Sequence, residues 1–467
     1  MRDNPEYLYW SACEIAGQIR SGALSSVEIT QACLDRIEQV NPSINAVVQL
    51  CAARALAEAL HCDELTVRKE FLGPLHGVPI TLKDSIDTEG IISTGGTMGR
   101  KSHVPTMDAP VAARLRNAGA VLMGKTNTPE LTLSGETNNL IYGRTKNPFD
   151  LDRSPGGSSG GSAAIIASGG SALELGSDTG GSIREPAHLC GITGIKPTSG
   201  RTPRTGHIVS FGGGVLDSLT QIGPMARYVE DLKLSLPIIC GPDGVDPYVV
   251  PVAMRDPDQV DCQSLRIAWY SDNGVTRPCD DIMRVTAEVA ARLDREGFMV
   301  EEVGFPDMKN LVDLSTQLRE SANAGLIVRL LENHGTVEPG PDLDGYLTDA
   351  GVANARHFDP EIMEKIDLAR SSALQFMSGY DAVICPASHA IARPHLSSRS
   401  DTFEDWSYIT VHNLLGWPGG TVRAGTSEPG GLPVGVQVVA APWREDIVLA
   451  LLAQIESLFG GYQRPLL

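Results

Sequence analysis

The sequence predicts an α/β fold built on a large, mostly parallel sheet, and three features carry that expectation. GVPITL (77–82) and GAVLMG (119–124) are apolar runs of strand length, with the helical pattern VAARLRNAG between them. A strand, helix, strand rhythm of this kind favours parallel pairing. The rhythm resumes from about 265, with SLRIAWYS as strand, RVTAEVAARLDREG as helix and FMVEEV as strand. DAVICPAS (381–388) and GLPVGVQVVA (431–440) then supply two further core strands, so the end of the chain returns to the sheet.

Ahead of the first strand, three segments read as helices: 11–21, 26–40 and 50–61. In the second of these, Val27, Ile29, Thr30, Cys33, Leu34 and Ile37 fall on one face at helical spacing. Between about 305 and 377, two long helical patterns and a polar region read as an insertion beside the sheet. The chain has 467 residues, more than the roughly 250–300 at which a single core usually stops growing, so one very large unit or two closely packed lobes are expected. No internal repeat or low-complexity linker divides it.

Composition sets the surroundings. A 42% hydrophobic and 20% charged content is that of a folded globular chain. The net charge of −19 disfavours nucleic acid and other polyanions as partners. Nine cysteines, scattered and without a C-x-x-C pair, read as reduced thiols in a cytoplasmic protein. The N-terminal MRDNPEYLYW lacks the basic and apolar regions of a signal peptide. No apolar stretch is long enough to span a bilayer.

Two motifs mislead. Residues 119–126, GAVLMGKT, match the phosphate loop G-x-x-x-x-G-K-T. A phosphate loop needs a flexible arch of N–H groups between strand and helix, whereas Ala-Val-Leu-Met suits the strand itself, so Lys125 is read as structural. Gly156, Ser158 and Gly160 match the G-x-S-x-G nucleophile elbow. That elbow follows a strand and needs a partner histidine. Here a polar loop with two prolines, KNPFDLDRSP, precedes the serines, and none of the ten histidines is marked out as a base. No metal-ligand spacing such as H-E-x-x-H occurs.

The second glycine and serine cluster, GSDTGGSIREPA, holds Asp178, Thr179, Gly180, Gly181, Ser182 and Arg184 in one run. Successive N–H groups there could converge on an oxyanion, with Ser182 placed as a nucleophile and Asp178 and Arg184 pinning the loop by opposite charges. Taken alone, the cluster is equally a structural glycine turn. Upstream, GVPITL ends in Lys83. A lysine at the mouth of a buried strand is open to desolvation, which can lower its pKa enough for it to act as a base, and the commoner alternative for any single lysine is a surface residue, here paired with Asp84 or Asp87.

Taken together, GVPITLKD, GGSSGGS and GSDTGGSIR resemble the amidase signature family, as do CGITGIKPTSGR, IGPMAR, GLPVGVQVVAAPWRED and the N-terminal SACEIAGQIRSGALSSVEITQACLDRIEQVNPSINAVV. The likeness covers most of the chain and is weakest between about 245 and 380. It implies a single domain over 1–467 with a catalytic core at 62–245, folded as a large mixed, mostly parallel sheet with helices on both faces. It also implies a triad in which Ser182 attacks the carbonyl, Ser158 relays its proton and neutral Lys83 is the base, with a cis bond between Gly157 and Ser158. The oxyanion would be held by N–H groups of Thr179, Gly180, Gly181 and Ser182, with Gly157, Ser159, Asp178 and Arg184 in support. Neither metal nor organic cofactor is implied.

For substrate, the loop at Thr132 to Asn138 lines the family's acyl pocket, which puts Thr132, Ser134, Thr137 and Asn138 there. Glu185 and His188 replace residues that are apolar or aromatic in many relatives, and either touch the pocket or rim it. The loop TLSGETN is polar and no strongly apolar helical hairpin is visible, so the implied partner is a small or aryl amide, or a carbamate, with no membrane; a homodimer is left open. Two rivals remain. One is the ammonia-releasing component of a glutamyl-tRNA amidotransferase, and the other a catalytically silent binding protein on the same fold.

Overall fold

The computed structural model describes residues 5–211, 218–343, 347, 361–397 and 401–467. Its strands in chain order are β1 (Val47–Leu50), β2 (Pro79–Lys83), β3 (Val121–Thr126), β4 (Asn138–Asn139), β5 (Gly143–Arg144), β6 (Leu173–Asp178), β7 (Thr193–Lys196), β8 (Gln221–Ala226), β9 (Arg266–Trp269), β10 (Met299–Glu302), β11 (Ala382–Pro386), β12 (Gly419–Thr426) and β13 (Pro433–Ala440). Eleven of them form one mixed sheet in the order β1-β3-β2-β6-β8-β7-β12-β13-β11-β9-β10, and β4 and β5 pair separately. Parallel pairing holds two blocks, β3-β2-β6 and β11-β9-β10. Between and beyond these blocks the neighbours run antiparallel.

Both parallel blocks contain the strand, helix, strand segments legible in the sequence. The helix Pro110–Asn117 connects β2 to β3, and Asp280–Arg295 connects β9 to β10. The first strand comes earlier than the sequence pattern places it. Val47–Leu50 lies between the helices Ser26–Ile44 and Ala52–Val67 and pairs at the sheet edge with β3. Four residues ahead of a helix carry too little periodicity to be separated from it.

Helices cover both faces, and β11 shows how. Successive side chains of a strand point to opposite faces. Ala382 and Ile384 belong to the main core, which runs from the N-terminal helices through Ile80, Leu122, Leu175 and Val436 to the C-terminal helix Glu445–Phe459. Val383 and Cys385 belong to a second core, closed by Leu311, Leu314 and Leu318 of the long helix Met308–His334 and by Ile366 of Glu361–Phe376. These two helices occupy the stretch read as an insertion, and its residues 344–346 and 348–360 lie outside the described ones.

The segment matching a phosphate loop is β3, buried at every position. Lys125 is fully buried, donates to the Ile86 carbonyl and, at 2.7 Å, to Thr88 Oγ1. Burial lowers its pKa to about 8, opposed by Asp84, Asp87 and Glu174. It is a tie between β3 and the chain leaving β2. Lys125→Met should therefore lower stability by about 2–4 kcal/mol, because it strands buried acceptors and a nearby carboxylate. Urea unfolding checks this, alongside ATP titration; saturable ATP binding that the variant loses would contradict the structural role.

Candidate active site

Parallel strands β2 and β6 are neighbours, so their carboxyl ends open at the same edge of the sheet, the edge where open α/β sheets place their sites. Lys83 ends β2 and Asp178 ends β6. The loop from Pro155 arrives there and feeds the helix Gly160–Ala167. A second short helix, Arg184–Leu189, leaves the same edge just after Ser182.

Lys83 is fully buried. Its Nζ lies 2.7 Å from Ser158 Oγ, 2.9 Å from Ser159 Oγ and 3.0 Å from Ser177 Oγ, with the Ser177 carbonyl at 3.4 Å. Hydroxyls and a carbonyl surround it, and among the described residues no carboxylate hydrogen-bonds to it. Burial therefore drives its pKa well below the usual 10.5, against the weaker pull of Asp178 and Glu174. Glu174, also fully buried, accepts from the hydroxyls of Thr81 and Thr126, and burial raises it to about 7.

Asp178 has the opposite fate in the same interior. Burial alone would raise its pKa, but the Arg184 guanidinium holds it well below the ordinary carboxylate range. Arg184 donates to both of its oxygens at 3.0 Å, Asn413 donates at 2.9 Å, and the Gly181 and Ile183 N–H groups donate at 2.7 and 3.2 Å. Arg184 also reaches Asn413 Oδ1 (2.6 Å) and Gln437 Oε1 (2.7 Å), which locks the loop to the helix Ser407–Leu414 and to β13.

Ser182 is half-buried. Its carbonyl accepts the Ser159 N–H at 3.2 Å, which ties the two serine loops together. Gly181 takes φ +115°, and a Cβ there would lie 1.9 Å from Ile409 Cδ1, so a side chain at this turn would be strained and would displace Ile409. The peptide bond between Gly157 and Ser158 is cis. A Cβ on Gly157 would sit 2.5 Å from the Ser134 carbonyl, so the chain at 134–136 passes directly against that bond.

The remaining residues singled out in the sequence divide by contact. Thr137 props the serine loop, donating to the Gly156 carbonyl (2.9 Å) and accepting from the Gly160 N–H (3.1 Å). Ser134 Oγ accepts the Glu136 N–H at 3.2 Å, Thr132 is buried with φ +62°, and Asn138 pairs with Arg144 in the small ladder. His188 is fully buried. Its Nδ1 accepts the Gly435 N–H at 2.7 Å, so Nε2 carries the proton and donates to the Ala390 carbonyl at 3.1 Å. Burial lowers it to about 4, and it serves the scaffold as a neutral ring. Glu185 Oε2 is buried without a hydrogen-bond partner among the described residues. Burial raises its pKa to about 8, eased by Arg393 and by the Gly157 N–H. Ser177, Glu174, Asn413 and Gln437 were not singled out in the sequence, and none carried a local signal.

The amidase family model matches residues 28–449. The chain belongs to the amidase family. It is 34% identical over 469 residues to the indoleacetamide hydrolase of Bradyrhizobium diazoefficiens, an alignment covering 97% of this chain and 87% of the relative. It is 32% identical over 484 residues to a glutamyl-tRNA(Gln) amidotransferase component from Oleidesulfovibrio alaskensis, covering 96% of each. Among solved structures it superposes on a fatty acid amide hydrolase with a TM-score of 0.88 at 28% identity, over 98% of this chain and 87% of that one. This amidase is an amide-cleaving hydrolase. Among its described residues no helix is long and apolar enough to cross a membrane.

Glu185 gives the amidase a measurable pH signature. An unfolded glutamate titrates near about 4.3, whereas the folded one titrates at about 8. The folded state thus holds the extra proton, and its stability falls as pH rises between those values. Glu185→Gln should remove that slope, at most about 1.4 kcal/mol per pH unit. Comparing unfolding midpoints of wild type and variant from pH 5 to 9 reads it, with the variant's advantage growing up to about pH 8; parallel curves would show an ionised Glu185 throughout.

Proposed function

We propose that this amidase hydrolyses small or aryl amides, and carbamates, through an acyl-enzyme on Ser182. The observation that carries the reading is the fully buried Lys83 with its Nζ 2.7 Å from Ser158 Oγ and, among the described residues, no carboxylate hydrogen-bonded to it. A neutral amine has two N–H donors and one lone pair. The hydroxyls of Ser159 and Ser177 can take the donors, which leaves the lone pair for the Ser158 proton. Ser182 Oγ then attacks the substrate carbonyl carbon, its proton passes to Ser158 Oγ, and the Ser158 proton passes to Lys83. As the tetrahedral intermediate collapses, the proton returns through Ser158 to the departing nitrogen, and the amine leaves. Water repeats the sequence on the acyl-enzyme and releases the acid.

The Gly181 N–H is already engaged by Asp178. The oxyanion donors in this scheme are therefore the N–H groups of Thr179, Gly180 and Ser182. The polar run Thr132 to Asn138 and a relative named for indoleacetamide support a compact, polar or aryl substrate over a long acyl chain. The likeness to an amidotransferase component favours glutamine as the second reading. A panel of aryl amides, aliphatic amides, esters, carbamates and glutamine, assayed on the pure chain, separates the two.

Ser182→Ala should cut amide turnover by about 10⁵- to 10⁶-fold. Ser158→Ala and Lys83→Met should each be crippled while still folded. With Lys83 shifted down by burial, wild-type activity should climb with pH through an ionisation below the usual lysine range, then level off. Amides need their leaving nitrogen protonated and esters do not, so Lys83→Met should harm an amide more than its matched ester. Rates on both substrates from pH 6 to 10 test this. Equal losses with an unchanged pH profile would remove Lys83 from the base role.

A further inference from the structure

We infer that Arg319, outside the serine loops and on the long helix Met308–His334, sets the direction of an oxyanion donor. The inference rests on the proposed acyl-enzyme chemistry. Leu318 anchors this part of the helix in the second core. The next residue, Arg319, is 8% exposed and reaches onto the nucleophile loop, where its Nη2 donates to the Thr179 carbonyl at 2.7 Å. Its guanidinium lies beside Gly180, close enough that a Cβ there would be 2.9 Å from Nη2.

Among the described residues the cis bonds are Gly157–Ser158 and Glu428–Pro429, so the peptide between Thr179 and Gly180 is trans. In a trans peptide the carbonyl and the N–H point in opposite directions. Holding the Thr179 carbonyl on Arg319 therefore turns the Gly180 N–H to the far side of the plane. Other parts of the loop have separate anchors. Thr179 Oγ1 pairs with Thr220 Oγ1 at 2.9 Å, and the Gly181 and Ile183 N–H groups are held by Asp178. The plane between 179 and 180 adjoins a glycine, whose backbone permits a flip that other residues resist. Arg319 opposes that flip. It is a positioning residue, acting on the substrate through the Gly180 N–H.

Three variants separate this role from simple support of the fold. Arg319→Met removes the donor, Arg319→Lys keeps a charge and a single donor nitrogen without the planar fork, and Gly180→Ala pushes the guanidinium away from its carbonyl at little structural cost, because the atom in its path is the end of a flexible side chain. The readouts are kcat and KM on a short-chain acyl p-nitroanilide, and the rate at which a fluorophosphonate labels Ser182, a reaction that also places a negative oxygen among these donors. Arg319→Met should lower kcat roughly ten- to a hundredfold, a fraction of the loss for deleting a whole donor. KM should hold within about twofold, labelling should slow in parallel, and the Lys83 pH limb should stay in place. Arg319→Lys should recover part of the rate. Arg319→Met combined with Gly180→Ala should be no worse than the worse single variant, because both act on one peptide plane. Unchanged kcat and labelling in Arg319→Met, or losses that multiply in the double variant, would overturn the inference. Wild type that neither turns over the amide nor labels would overturn the proposed chemistry itself, and this role with it.

Discussion

An ammonium group sealed from water with hydroxyls and a carbonyl as its hydrogen-bond partners is costly to keep charged, and that constraint organises this amidase. Lys83 meets it because β2 delivers the side chain into the sheet edge at full burial, while Ser158, Ser159 and Ser177 provide polar contacts that suit a neutral amine. A carboxylate in contact would favour the charged form, which the proposed chemistry cannot use. The two buried acids nearby are kept occupied elsewhere. Glu174 accepts from two threonine hydroxyls, and Asp178 is bound by Arg184 and Asn413.

Asp178 shows the same interior working with the opposite sign. Burial opposes both charges, yet five hydrogen bonds, two of them from a guanidinium, reverse the outcome for the acid. A buried ion pair of this kind contributes little net stability, though breaking it by removing one partner costs about 3–5 kcal/mol. Its value here is geometric. Through Asn413 and Gln437 it fixes the turn carrying Ser182 to two elements more than two hundred residues away. The loop carrying Ser182 is thus braced by the helix Ser407–Leu414 on one side and by Arg319 of the long helix on the other.

How much of this was legible depended on the range of the interaction. β2, β3, β11 and β13 are largely apolar runs with clear ends, and β9 and β10 flank a helix of clear periodicity, so the sequence marks them. β6 and β8, LELGSD and QIGPMA, contain glycine, acid or proline and are buried throughout, so they show neither alternation nor a long apolar run. β1 was hidden by its length. The serine clusters stood out through glycine density, but Lys83 alone read better as a surface lysine until the family likeness joined the segments. Asn413, Gln437 and Arg319 act over separations no local pattern encodes. His188 was singled out because many relatives carry an apolar or aromatic residue there, and its ring is satisfied entirely by backbone.

The central claim is that Lys83 is neutral at the pH where the enzyme works. An NMR titration of the full-length protein labelled at lysine Cε, with the Lys83 signal assigned by its loss in Lys83→Met, measures this directly. The account predicts a signal that leaves the charged form well below the ordinary lysine value of 10.5. A Lys83 signal that titrates near 10.5, with the rest of the spectrum folded, would contradict it.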